Sequence, residues 1–215
     1  MTDRPILFSG SMVRALLDGR KTQTRRALKR HALHKPEPHT ITANGADLVC
    51  RWKSGIRHDV PSPYAPGDRL WVREAWRTHV AYEDLPPRDM GGEEPIRYEA
   101  DGYLESWGWP FMDAPGRLRQ GMHMPRWASR LMLTVTDVRV QRVQEISEAD
   151  ARAEGVDQAH EPDERRWEHY SPYGVSFRAL WDGLNANRGY GWDTNPWICA
   201  ISFDVHRCNI DEVTL

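Results

Sequence analysis

Apolar positions fall in short blocks along this chain, and no single period persists for long. The run PILF, Pro5 to Phe8, predicts a strand. Beyond it Met12, Val13, Leu16 and Leu17 recur at i, i+1, i+4 and i+5, the stripe of a helix with one buried face. Ser9 or Ser11 is placed to cap that helix, and Gly19 stands just past its end, where left-handed backbone suits glycine. The stretch GRKTQTRR, from Gly19 to Arg26, therefore begins where a helix stops.

Prolines at 36, 38, 61, 63 and 66 break the next segment, within which TITANGADLVCRW predicts a hairpin turning at Asn44-Gly45. Pro66-Gly67-Asp68 predicts a turn, and Leu70 and Val72 alternate with Arg69, Trp71 and Arg73 in a strand leaving it. PIRYEADG holds one further strand inside a region of acids, glycines and prolines. Leu131, Leu133 and Val135, then Val138 and Val140, sit two apart and predict a long strand or a bent pair. In EISEADARAEGV, Ser147 caps a short helix, Asp150 takes its N3 position and Gly155 ends it. A polar loop leads to a helix with Phe177, Leu180, Trp181 and Leu184 on one face, and a last strand places Trp197, Cys199, Ile201 and Phe203 on one side. Strands and helices do not alternate regularly, which disfavours a doubly wound sheet. The expected fold is α+β: a single domain over residues 1–215, a small β-barrel decorated with short helices and with insertions at about 31–60, 80–118 and 156–172.

Charge and composition narrow the function classes. With 29 basic and 31 acidic residues the net charge is −2, which argues against a non-specific duplex binder that depends on many phosphate contacts. The charge is uneven: GRKTQTRRALKRHALHK is strongly basic, which leaves room for a focused basic cleft. Ten tryptophans supply more flat rings than a core of this size needs, compatible with base stacking. Three cysteines far apart make a poor disulfide framework, no CxxC is present, and no metal is expected at Cys199, His206 and Cys208. No run approaches the ~20 apolar residues of a membrane span, and MTDRPILFSG lacks the pattern of an export leader, so an intracellular protein with no membrane partner is expected.

Lys21 has two readings: a solvated cation at a helix end, or a desolvated lysine whose lowered pKa lets it act as a base on the nearby Thr24 hydroxyl. Arg20, Arg25 and Arg26 would be its cationic neighbours, and strand alternation would place Arg26 on the side of Thr24. Arg126, Trp127 and Arg130, with His123 upstream, form a second basic-aromatic cluster; Trp71 and Arg73 sit on the strand after the Pro66 turn. Glu154 closes the short helix, and Glu74, Asp68 and Glu99 are rival carboxylates. Zinc-protease, nucleophile-elbow, phosphate-loop, dinucleotide and deaminase signatures are lacking, and no cofactor is expected.

The blocks PILFSGSMVRALLDGRKTQTRR, PGDRLWVREAW, HMPRWASRLMLTVTDVRVQRVQEISEADARAEGV, FRALWDGLN and NPWICAISF together resemble the ASCH domain proteins, in the long form found in phages and prophages of bacteria. That resemblance implies a PUA-like β-barrel related to RNA-binding modules. It also implies kinship with small bacterial amidohydrolases that deacetylate N4-acetylcytidine, whose lysine, threonine and glutamate fall on Lys21, Thr24 and Glu154. The implied activity is hydrolysis of the N4-acyl amide of a modified cytosine. Lys21 would activate or orient, Thr24 attack and Glu154 handle protons. Arg20, Arg26, Trp71, Arg73, Glu74, His123, Arg126, Trp127 and Arg130 would bind a modified nucleoside or single-stranded RNA or DNA. The alternatives are a non-catalytic RNA or modified-nucleotide binding module and a ribonuclease.

Overall fold

A computed structural model describes residues 2–28, 38–44, 47–105, 114–158 and 171–213. The chain divides into two compact units. The first comprises Met1–Gly19, Asp68–Thr134 and Val205–Leu215; the second comprises Arg20–Gly67 and Val135–Asp204.

In the first unit, strand β1 (Asp3–Leu7) pairs in parallel with β6 (Arg69–Arg73), joining residues 66 positions apart that no local pattern connects. Pro5 sits in the middle of β1, opposite Trp71. Helix α1 (Gly10–Leu17) buries Met12, Val13, Ala15 and Leu16, while Leu17 is half-buried. Ser9 holds the N-cap position without a side-chain bond to the helix. Gly19 ends the helix at φ +70°, where a side chain would strain the backbone. Strands β7 (Trp76–Thr78), β8 (Ile96–Tyr98) and β9 (Leu104–Glu105) form a three-stranded antiparallel sheet. Trp76, Ile96, Tyr98, Met90, Met124 and Ala128 make one core cluster, and Trp71, Met132 and Ile210 make another.

In the second unit, β3 (Thr40–Asn44), β4 (Asp47–Arg51) and β5 (Arg57–Pro61) form an antiparallel sheet. Asn44 pairs with Asp47 across the expected hairpin, whose Gly45 lies outside the described residues; β5 carries no apolar alternation and was not expected. Strand β2 (Gln23–Ala27) pairs antiparallel with β11 (Trp197–His206). Ile198 and Ala200 of β11 pack with Val143, Ala151, Phe177, Trp181 and Trp192. Two helices cover that side: α2 (Glu148–Ala153) and α3 (Pro172–Asn185). Both begin on a serine cap, Ser147 accepting from the Asp150 amide and Ser171 from that of Gly174. Helix α3 starts earlier than its apolar pattern because Pro172 suits the first helical turn. Of its expected stripe Phe177 and Trp181 are buried, Leu180 is half-buried, and Leu184 is exposed because the helix end runs past the core.

Strand β10 (Met132–Arg142) begins in the first unit and continues in the second. Across the hydrogen bonds the largest sheet runs β1-β6-β10-β11-β2, with β1 and β2 as its two ends. This corrects the expected PUA-like barrel: the fold is α+β with mixed, open sheets, and no sheet among the described residues closes on itself. The repeated short strands were legible, but closure depends on whether the first and last strands pair, and these do not. Among the described residues no helix is long and apolar enough to cross a membrane.

Candidate functional site

The turn after α1 delivers Lys21 to the end of α2. Lys21 and Glu154 form an isolated antiparallel bridge, and the Thr22 amide donates to the Ala153 carbonyl at 2.9 Å. Lys21 Nζ, on a residue 1% exposed, then donates to the Gln23 carbonyl at 2.8 Å, the Glu154 carbonyl at 2.8 Å and Glu154 Oε2 at 2.7 Å. An ammonium has three hydrogens, and three acceptors are in place.

Alternation on β2 puts Gln23 and Arg25 on this same side. Arg25 Nη1 donates to Gln23 Oε1 at 2.6 Å and to Glu154 Oε1 at 3.1 Å. Its Nη2 lies 3.2 Å from Asp150 Oδ2 without hydrogen-bond geometry, and its Nε is buried without an acceptor. Arg139 completes the row, donating to Asp150 Oδ1 at 2.8 Å. Arg139 also lies 3.6 Å from Asp137, so three cations and three carboxylates alternate here, and the two most buried cations meet at Glu154. Burial pushes the Lys21 ammonium below its ordinary range; the Glu154 carboxylate opposes the shift, and Arg26 and Arg25 add to it. Burial also lowers Arg25 despite Glu154 and Asp150. Asp150 is held below the usual carboxylate range, because Arg139 and Arg25 outweigh the burial that would raise it.

Thr24 is 1% exposed, pairs with Ile201 on β11 and faces the opposite side of the strand from Arg25. Among the described residues its hydroxyl bonds neither Lys21 nor Glu154. The structure therefore brings two of the three sequence candidates together and leaves the third on the other face. Arg26 shares the side of Thr24, half-buried, hydrogen-bonded to Tyr64 and within electrostatic reach of Arg188. Burial lowers its pKa first, with Tyr64 and Glu154 opposing. Register places Cys199 opposite Arg26, and Trp197 lies two residues away on the same face. The Arg142 guanidinium lies 4.2 Å from the centre of the Trp197 ring, whose Nε1 is buried without a partner. Arg20 is exposed, donating to the Gly155 carbonyl at 3.1 Å and to Asp157.

The remaining candidates lie in the first unit, and most serve its own networks. Arg130 grips Glu74 through Nε and Nη2 at 2.9 and 3.0 Å, and Asp101 through Nη1 and Nη2, both at 2.9 Å. Its guanidinium lies 4.1 Å from the centre of the Tyr98 ring. Burial lowers the Arg130 pKa, but the two carboxylates outweigh it and the net shift is upward. Glu74, 1% exposed, is raised by burial against the pull of Arg130, with Asp101 adding a like charge. Arg126 bridges Asp3 and Asp211 at 2.7 and 2.6 Å. Trp127 is half-buried against the Trp76 cluster. Trp71 packs on Met132 and Ile210 beneath Arg73, and His123 is exposed.

Sequence reasoning missed Gln23 in the buried row, the half-buried Asp150 and the exposed Arg139 that extend it, and Tyr64, Arg142, Trp197 and Arg188 on the opposite face. Counting by twos from Lys21 reaches Gln23 and Arg25, so that part of the row was open to alternation. Among the described residues no group of His, Cys, Asp and Glu has the arrangement of a metal site. Cys199 is fully buried, which pushes its thiol up to about 12.

No family model matches this chain, and no curated protein matches it. Among solved structures, the crystal structure of protein EF3133 from Enterococcus faecalis V583, described as DUF984, is similar at 12% identity with a TM-score of 0.40. The match covers 100% of this chain and 86% of that one, and a likeness so slight carries no argument. Without a matching family or curated relative, and with open sheets, the barrel and the hydrolase and amidohydrolase character drawn from the resemblance are withdrawn.

Proposed function

We propose that the chain is a non-catalytic module that binds single-stranded nucleic acid around Arg26 and Arg188 of its second unit. One observation carries the reading: Lys21, Arg25 and Arg26 crowd onto one short segment, the first two bonded to the buried carboxylate Glu154 and Arg26 on the other side of the strand with Arg188 in reach. Such crowding costs stability in the free protein, and a phosphate beside Arg26 and Arg188 would offset it. On the same face Arg142 stacks on Trp197, giving a base a flat cationic platform. The three-acceptor cage around Lys21 also favours binding over catalysis, since a lysine so committed has no lone pair to take a proton.

Fluorescence anisotropy with labelled single-stranded RNA and DNA tests this. Raising salt from about 50 to about 200 mM should weaken binding roughly tenfold or more. Replacing Arg26 and Arg188 together by alanine should do the same at fixed salt. Binding that ignores both salt and the double substitution would overturn the reading.

A further inference from the structure

The first unit contains an arginine whose surroundings differ from those of its neighbours. Arg69 holds Asp3, Arg77 holds Glu99, Arg126 holds Asp3 and Asp211, and Arg130 holds Glu74 and Asp101. Arg119 donates to three carbonyls. Arg73, half-buried at the end of β6, has no carboxylate among the described residues. Its guanidinium lies 4.5 Å from the centre of the Trp71 ring. Nη1 donates to the Met122 carbonyl at 3.2 Å, and Nε is buried without an acceptor. Burial alone lowers its pKa, with no acid opposing.

Two exposed apolar residues adjoin this cation. Leu7 pairs with Arg73 in register and is 53% exposed; Met122, whose carbonyl Arg73 holds, is 61% exposed. Leu7 also reaches over Gly121: a Cβ there would meet Leu7 Cδ1 at 2.8 Å. Leu7, Arg73 and Met122 are therefore contiguous. A guanidinium pre-oriented by an aromatic ring suits a carboxylate geometrically, and its Nη2 makes no hydrogen bond among the described residues. Exposed leucine and methionine beside it suit an aliphatic body, methionine adapting to the shape it meets.

We infer that Arg73, Leu7 and Met122 form a docking site for a peptide chain end, an aliphatic C-terminal residue whose free carboxylate Arg73 binds. Charge complementarity selects the carboxylate, and the two apolar side chains select an aliphatic rather than a polar last residue. The site belongs to the first unit and does not depend on nucleic-acid binding.

The test uses the full chain and a labelled hexapeptide ending in leucine, prepared as the free acid and as the amide, with binding followed by anisotropy. The free acid should bind at least tenfold more tightly than the amide. Arg73→Gln should erase that difference. Because Arg73 also packs on Trp71, Met122→Glu serves as a second variant on an exposed side chain, and it should weaken the free acid about tenfold by like-charge repulsion. Equal binding of acid and amide, no binding at all, or binding untouched by both substitutions would overturn the proposal. Displacement of the peptide by octanoate at equal concentration would overturn the peptide as the source of the carboxylate.

Discussion

In the second unit two cations, Lys21 and Arg25, share Glu154; in the first, one arginine, Arg130, holds both Glu74 and Asp101. Both arrangements remove charges from water, which is costly unless geometry and hydrogen bonds compensate. Arg130 achieves this with four bonds from a planar fork to two carboxylates. The second unit reverses the ratio at its carboxylate: two cations meet at Glu154, Arg25 keeps Nε and Nη2 without hydrogen bonds, and burial lowers the pKa of both cations. Two carboxylates around one arginine leave its fork fully bonded, whereas two cations at one carboxylate leave part of the Arg25 fork unbonded.

The sharpest way to break this comparison is to remove each carboxylate. Glu154→Gln leaves two buried cations sharing what Asp150 supplies and should cost about 3–5 kcal/mol in urea unfolding. Glu74→Gln should cost less, about 2–3 kcal/mol, because Asp101 retains half of the guanidinium bonds. If Glu74→Gln proves the more harmful, the ranking of the two centres is overturned.

The two centres should also give opposite pH slopes. Lys21 has a folded pKa below its ordinary value of 10.5, so above that folded pKa the unfolded chain binds more protons. Stability should therefore rise with pH from the folded pKa up to 10.5, and Lys21→Met should flatten that rise. Glu74 has a folded pKa above its ordinary value of 4.5, so its contribution is full below 4.5 and is lost as pH rises through the folded pKa. Stability curves of the wild type, Lys21→Met and Glu74→Gln against pH separate the two. The smallest effect should come from Asp101→Asn. That side chain is 31% exposed, and water screens its pairing, so about 1 kcal/mol or less is expected by the same unfolding measurement.

Legibility in the sequence followed locality. The α1 stripe, Gly19, the Ser147 cap and Gly155 depend on near neighbours, and a reading of residue types reaches them. The β11 pattern was half visible: alternation picked out Trp197, Cys199, Ile201 and Phe203, but Ile198 and Ala200 are equally buried because helices cover the other face. Sheet closure was misjudged, since it turns on whether the end strands β1 and β2 pair, which no periodicity within either strand reveals. At the site, Lys21 and Glu154 meet across 133 residues, a contact suggested by family resemblance and not by spacing. Thr24 was grouped with them by proximity in sequence, although the period of a strand turns it the other way. Glu74 resembled a free ligand because its arginine arrives 56 residues later.

Pro5 has a consequence for how the molecule behaves in a crowd. The Phe8 amide donates to Arg73 and the Arg69 amide to Thr2, so in β1 the even-numbered residues turn their backbone toward β6. Pro5 consequently falls among the outward-turned positions, at the middle of a five-residue end strand, and brings no N–H there. A foreign strand laid along this flank would find its central rung missing, so this edge of the sheet resists growing by self-addition without a barrel to seal it.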